Sequence, residues 1–345
     1  MRLLNSLSSV LTGMLMLASV TSSSALYAHD INVQQRVAID AHALAATPDL
    51  ENTSKSLATY LAQDLHTDSE KIRAIYRWIS DRIEYDVEAF LSGREVAMNV
   101  EEVLKKRLSV CGGFASLFEE LATNAGLEVK SISGYAKAYG SVQGTHFDKP
   151  NHVWNAIKID GEWRMIDATW GAGYVKDGKY SKALSEAFFL VPPEQFVFSH
   201  LPAEDSWQLQ HTPHLSQQEF ESLPLIQSTF FYNNISASEA WETSKKADFS
   251  GSFVQTFDLP YHAASIQQAP LEFHLKLDHP YQFKIQTEMF EKIALVQSEQ
   301  WVEMEKQEQQ FSLNYSSQTR GQLRVMGKRF GEQDYTSLLA YELRP

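Results

Sequence analysis

Apolar residues recur at helical spacing through the first third of the chain. Residues 33–65 carry a weak version of the pattern. A sharper one starts at Thr67, where Glu70 three positions on gives capping-box spacing. Ile72, Ile75, Tyr76, Ile79 and Ile83 then form an i, i+3, i+4, i+7 stripe, which predicts an amphipathic helix. Asn99 with Glu102 repeats the start signal, and Lys105-Lys106-Arg107 supplies cations suited to a helix C-terminus. A further helix is expected from Cys111, with Phe114, Leu117, Phe118 and Leu121 on one face and Gly126 as its stop.

After Gly126 the period changes towards two. Residues 129–136 read as an extended, partly alternating strand. Residues 152–159 and 162–169 read as a hairpin around Asp160-Gly161, a pair suited to the positive φ angles of a tight turn. From about 199 to 224 the chain is rich in Pro, His, Gln and Ser and reads as connecting sequence. Beyond it, strand-like runs recur at 249–259, 271–277, 281–287, 301–305, 311–315, 323–330 and 338–343. Seven short runs with turn signals such as Asp278-His279-Pro280 predict an all-β sandwich, immunoglobulin-like in architecture only, since the paired cysteines of antibody domains are absent. The expected division is a signal peptide over 1–28, an α+β core over 29–210, a linker over 211–224 and a β-sandwich over 225–345.

Composition narrows the function. Lys and Arg number 30 and Asp and Glu 43, a formal net charge of −13, which argues against binding nucleic acid. A single cysteine excludes an intrachain disulfide framework and any multi-cysteine metal site. At the N-terminus, Arg2, an apolar stretch over residues 7–20 and the small residues Ser23-Ser24-Ala25 have the order of a secretory signal. The apolar stretch is short for a membrane span. The expected location is therefore periplasmic or secreted, with no integral membrane segment once the signal is cleaved.

The lone Cys111 sits at an expected helix N-terminus, where the partial positive charge favours thiolate. Gly112 and Gly113 follow, and two glycines at a helix start suggest room for a substrate at the thiol. The hairpin supplies partners. If Ile159 faces Glu162, paired positions sum to 321, so Trp154 faces Asp167 and His152 faces Thr169. His152 and Asp167 then share a face as diagonal neighbours, within reach of an imidazole and a carboxylate. In this arrangement His152 takes the thiol proton of Cys111, Asp167 orients the ring and the Cys111 N–H supports an oxyanion. The spacing names no second oxyanion donor. Asn155 lies on the opposite face by the same parity. Trp154 and Trp170 are expected as core aromatics, and Tyr85-Asp86 as packing beneath the core. His211 and His214 lack a metal-binding context, and Gly171-Ala172-Gly173 lacks a phosphate-binding one. No metal or cofactor is expected.

The run SVCGGFASLFEELATNAGLEVKSISGYAKAYG, followed by NHVWNAIKIDGEWRMIDATWG, resembles the transglutaminase-like superfamily, in its kyphoscoliosis-peptidase-like branch. KIRAIYRWISDRIEYD upstream and AFFLVPPEQFVFSHLPAEDSWQLQ downstream extend the resemblance over about 38–210. It implies a papain/transglutaminase-like α+β cysteine core of N-terminal helices and an antiparallel sheet, often followed by immunoglobulin-like modules. It assigns Cys111 as nucleophile, His152 as base and Asp167 as third member. The implied activity is attack on a peptide or glutamine amide through a thioacyl intermediate. Hydrolysis is slightly favoured over amine transfer, because no calcium-binding loop appears. The implied partner is a protein or peptide substrate, with the β tail as a possible second docking surface. The rival reading is a non-catalytic scaffold that binds protein through the same fold.

Overall fold

The computed structural model describes residues 31–345 except 95, 97, 98, 138–140, 210–213, 228, 258 and 260–263. The expected signal peptide therefore lies outside the described residues, as does His211. Five helices open the fold: α1 (Val33–Leu44), α2 (Ser54–Leu61), α3 (Asp68–Arg82), α4 (Val87–Ser92) and α5 (Val100–Lys106). Between them, β1 (Glu84–Tyr85) pairs in parallel with β2 (Leu108–Ser109). The capping box at Thr67 and Glu70 is formed and starts α3. Then come α6 (Cys111–Asn124), β3 (Val129–Ala136), β4 (His152–Ile159), β5 (Glu162–Ile166), α7 (Ala168–Ala172), β6 (Gly173–Lys176), β7 (Lys179–Lys182), α8 (Pro193–Phe196) and β8 (His200–Pro202). The sheet order is β5-β4-β3-β8, antiparallel throughout.

This sheet separates two apolar clusters. Ile157, Ile159 and Ile166 join the helices, including Ile72, Ile75 and Ile79 of α3. Trp154, Ala156 and Met165 face the other way, towards Phe188 and Phe196. Phe114, Leu117, Phe118 and Leu121 of α6 are fully buried. Each such side chain contributes roughly 1.5–3 kcal/mol of burial, which anchors α6 firmly behind the sheet. Gly113 is part of that anchor. A Cβ there would come within 1.9 Å of Ser109 Oγ and 2.8 Å of Ser109 Cβ. The expectation that it opens space for substrate is thus corrected: Gly113 lets α6 close on β2.

The hairpin register is the derived one. Asn155 pairs with Ile166, Ala156 with Met165, Ile157 with Arg164 and Ile159 with Glu162. Asp160 and Gly161 both have positive φ, 51° and 84°, as a two-residue turn of this hand requires. One part of the reading needs correction: β5 stops at Ile166 instead of running to 169. Asp167 leaves the ladder and becomes the N-cap of α7, its side chain accepting from the N–H groups of Thr169 and Trp170.

Within the stretch expected as a linker, α9 (Gln217–Ser222) begins at a Ser216–Glu219 capping box, and Leu215, Phe220 and Leu223 are buried. Two further helices follow, α10 (Thr229–Tyr232) and α11 (Ala237–Ser244), so the C-terminal region is β-rich and not all-β. Its strands are β9 (Gln255–Thr256), β10 (Ser265–Gln268), β11 (His274–Lys276), β12 (Tyr281–Gln286), β13 (Phe290–Gln297), β14 (Gln300–Glu303), β15 (Glu305–Gln307), β16 (Gln310–Tyr315), β17 (Gly321–Arg329) and β18 (Tyr335–Arg344). They form a sheet β10-β12-β16-β15 and a second, β11-β18-β17-β13-β14, with β9 beside β18. The pairs are antiparallel apart from β11 with β18. Phe283, Ile285 and Phe311 of the first sheet share one apolar cluster with Leu323, Val325 and Tyr341 of the second.

Candidate active site

Cys111 opens α6. Val110, at its N-cap, makes no side-chain cap hydrogen bond; its carbonyl takes the Gly113 N–H at 2.9 Å, and the N–H groups of Cys111 and Gly112 precede the first intrahelical bond. The thiol therefore lies at the positive end of a helix that no side chain caps. His152, the first residue of β4, meets it from the sheet. The pairing of His152 with Gly134 of β3 fixes where the ring emerges. Its Nε2 lies 2.7 Å from Asp167 Oδ2, leaving Nδ1 for the thiol. His152 and Asp167 are 6% and 0% exposed, so their charges act through little water.

Every lone pair of the Asp167 carboxylate that the fold can reach is used. Oδ1 accepts from Thr169 N–H at 2.8 Å and Trp170 N–H at 3.0 Å. Oδ2 faces His152 and, at 3.3 Å, the Nε2 of His200. Burial opposes the charge of Asp167, but His152 and His200 outweigh it and hold the carboxyl well below its usual range. Burial likewise opposes a charged His152, yet Asp167 and Cys111 push it up to about 10. At Cys111 burial raises the thiol; the contact with His152 and a hydrogen bond from the Val153 backbone reverse that, and the thiol ends below its ordinary value. The three directions all favour the same arrangement, an imidazolium between a thiolate and a carboxylate.

Aromatic rings enclose this pair. Trp170 lies 5.3 Å from the His152 ring and Trp154 6.2 Å. Trp154 is 1% exposed, as expected of a core aromatic, whereas Trp170 is only partly buried and walls the site. Asn155 points the other way and donates to Ala115 O of α6 at 3.1 Å, pinning the helix to the sheet. Tyr85 packs against the apolar cluster of the helices, as expected. It is partly exposed on β1, opposite Ser109 and so two residues from Cys111 along the chain, with its ring 5.8 Å from Phe90. Burial and the nearby charges of Cys111 and Asp167 raise its pKa.

A deeper brace holds the segment whose Phe188 carbonyl accepts from the Asp167 N–H at 3.1 Å. The buried Arg73 of α3 pairs with Asp40 at 2.7 Å and Glu186 at 2.5 Å, tying α1 to the segment after β7. Tyr76 donates to Ser185 O at 2.6 Å, and its hydroxyl fills the space a Cβ on Gly171 would need. That contact accounts for Gly171.

His200 is the residue that sequence spacing missed. It falls in the Pro- and His-rich stretch, and no periodicity marks β8. His152, Asp167 and His200 bring ligand-type atoms within 4.8 Å of one another. Both rings reach the Asp167 carboxylate through Nε2, at 2.7 and 3.3 Å.

Helix-borne thiol, strand-borne imidazole and capping carboxylate define an α+β core of the cysteine-triad class. Residues 55–168 match the family model described as the transglutaminase-like superfamily, and the chain belongs to that superfamily through this core. It is 32% identical to human kyphoscoliosis peptidase over 238 residues, 68% of this chain and 35% of that protein. It is 27% identical to hillarin of Drosophila melanogaster over 258 residues, 69% of this chain and 30% of that protein. The chain thus spans about a third of the length of these curated relatives. Among solved structures, one titled as a crystal structure of a TGase aligns at 17% identity and TM-score 0.29, over 46% of this chain and 38% of that one. Red sea bream transglutaminase aligns at 12% identity and TM-score 0.31, over 85% and 53%.

Proposed function

We propose that this protein is a thiol enzyme that attacks a peptide or glutamine amide. The observation that carries the reading is His152 held between Cys111, at the uncapped start of α6, and a saturated Asp167. Cys111 thiolate attacks the carbonyl carbon, and the oxyanion meets the Cys111 N–H at the start of α6. The imidazolium then gives its proton to the leaving amine as the C–N bond breaks, leaving a thioester on Cys111. Water drawn in through His152 hydrolyses it; an amine in place of water would give a transfer product. Hydrolysis is our preferred outcome, in keeping with the kinship to a protein named a peptidase.

Two further elements belong to the proposal. The C-terminal sheets would form an immunoglobulin-like module that docks protein substrates, and the first 28 residues would direct export. Iodoacetamide labelling tests the core claim. Cys111 should alkylate at neutral pH faster than a free thiol, and Cys111→Ala should abolish both labelling and turnover of peptide or glutamine-amide substrates. Wild type that labels no faster than free cysteine would sink the reading. Equal binding of a protein partner by wild type and Cys111→Ala, with no turnover in either, would favour a scaffold.

A further inference from the structure

Behind Asp167 stands His200, 0% exposed, with Nδ1 2.7 Å from Ser199 Oγ and Nε2 3.3 Å from Asp167 Oδ2. Burial lowers its pKa to about 4, so the ring is neutral at physiological pH and carries one proton. A carboxylate can only accept. The proton therefore sits on Nε2, and Nδ1 accepts from the Ser199 hydroxyl. The ring cannot swing away: Phe196 stacks on it at 3.9 Å, and Trp170 lies 4.4 Å from it. One carboxylate oxygen is thus shared by two imidazoles, one charged and one neutral.

This sharing bears on a step that the proposed mechanism needs. His152 must release a proton to a leaving amine, and an imidazolium gripped by an undivided carboxylate does that poorly. We propose that His200 is a positioning residue: by donating to Oδ2 it divides the carboxylate's charge and fixes its rotamer, so that His152 is oriented but not over-stabilised as a cation. The mechanistic meaning of this inference rests on the thiol-enzyme reading. The physical coupling between the two rings does not.

The groups facing His152 are Cys111 from α6, Asp167 from the start of α7 and His200 from β8. The Tyr85 and Tyr76 phenols, from β1 and α3, also feel the charge of Asp167. Only His200 offers Asp167 a neutral side-chain donor among the described residues. His200→Phe keeps the stacking shape and removes that donor. His200→Gln replaces it with an amide N–H.

The experiment is an NMR titration of the His152 imidazole in the full chain, run beside the pH dependence of iodoacetamide labelling. In His200→Phe the His152 titration should rise by about half a pH unit or more. The alkaline limb of labelling should move with it, and His200→Gln should return most of the shift. A folded His200→Phe whose His152 titrates as in wild type overturns the inference, even if its melting temperature falls, because a purely structural role would lower stability without moving the titration. Should His200→Phe not fold, Ser199→Ala loosens the same bond at a partly exposed position. A smaller upward shift supports the inference and no shift overturns it. An unreactive wild-type thiol would overturn the enzyme reading, while the His152 titration would still report on His200.

Discussion

Asp167 shows how much one side chain can do when its lone pairs are filled by design of the backbone. Two N–H groups of α7 hold one oxygen and two imidazoles the other. Asp167→Asn would place an amide where His152 and His200 both donate. Thiol reactivity and turnover should fall by roughly 100-fold or more, read as the second-order labelling rate. The pH dependence follows from the same charges. Activity should rise as the thiolate forms, with a midpoint below the ordinary thiol value, and decline as His152 loses its proton near about 10. Stability responds with fixed signs. Asp167 is depressed, so its contribution is present above the unfolded carboxylate pKa and is lost as pH falls. His152 is raised, so its contribution is full below the ordinary imidazole value and fades as pH climbs through about 10. Melting temperatures across pH should show both slopes, and Cys111→Ala should reduce the alkaline one.

The elements that carry the triad were legible to different degrees. The capping box, the α6 stripe and the hairpin register follow from local chemistry, and the Asp-Gly turn set the pairing that puts His152 and Asp167 on one side. The end of β5 was not legible, because Asp167 suits a strand neighbour and a helix cap alike, and only the packing around Phe188 and Trp170 chooses the cap. Gly113, the second glycine after Cys111, also misled. Its cause is Ser109, four residues back and on another element. Gly113→Ala should therefore destabilise by about 1–3 kcal/mol through overpacking. Ser109→Gly should recover part of that loss in the double variant, since it removes both the clashing Oγ and the Cβ. Chemical denaturation of the four proteins of that cycle measures the coupling directly.

At the scale of the molecule, α9 joins the two regions. Lys137 donates to Leu223 O at 2.8 Å, Glu221 accepts from Phe147 N–H at 2.9 Å, and Gln217 donates to Phe147 O at 2.5 Å. These bonds hold the segment that runs into His152. Phe147, Phe198 and Leu201 also share one apolar cluster with Phe220, Phe230 and the sheets beyond. Phe220→Ala should cost about 3–5 kcal/mol, and its effect should reach thiol reactivity because the β3–β4 connection loses its support. A chain ending at residue 210 should expose this cluster, melt at lower temperature than the full chain and aggregate, which calorimetry and light scattering would show. The exposed Trp301 and Phe330, at 50% and 61%, lie on the β-rich region.

By itself the sequence determined α3, α5 and α6 of the core, the hairpin with its register, the lone thiol at a helix start and the family to which that pattern belongs. These depend on neighbours a few residues apart, and short-range sterics, capping and side-chain period decide them. Only the tertiary structure decided that Asp167 caps a helix, that His200 shares its oxygen, and that α9 braces the approach to His152. It also brought in β13, a central strand of the larger sheet that no alternation marked, since it is buried on both sides along much of its length. Each of these is a contact between residues far apart in the chain, selected by how the whole core packs and carried by no local pattern.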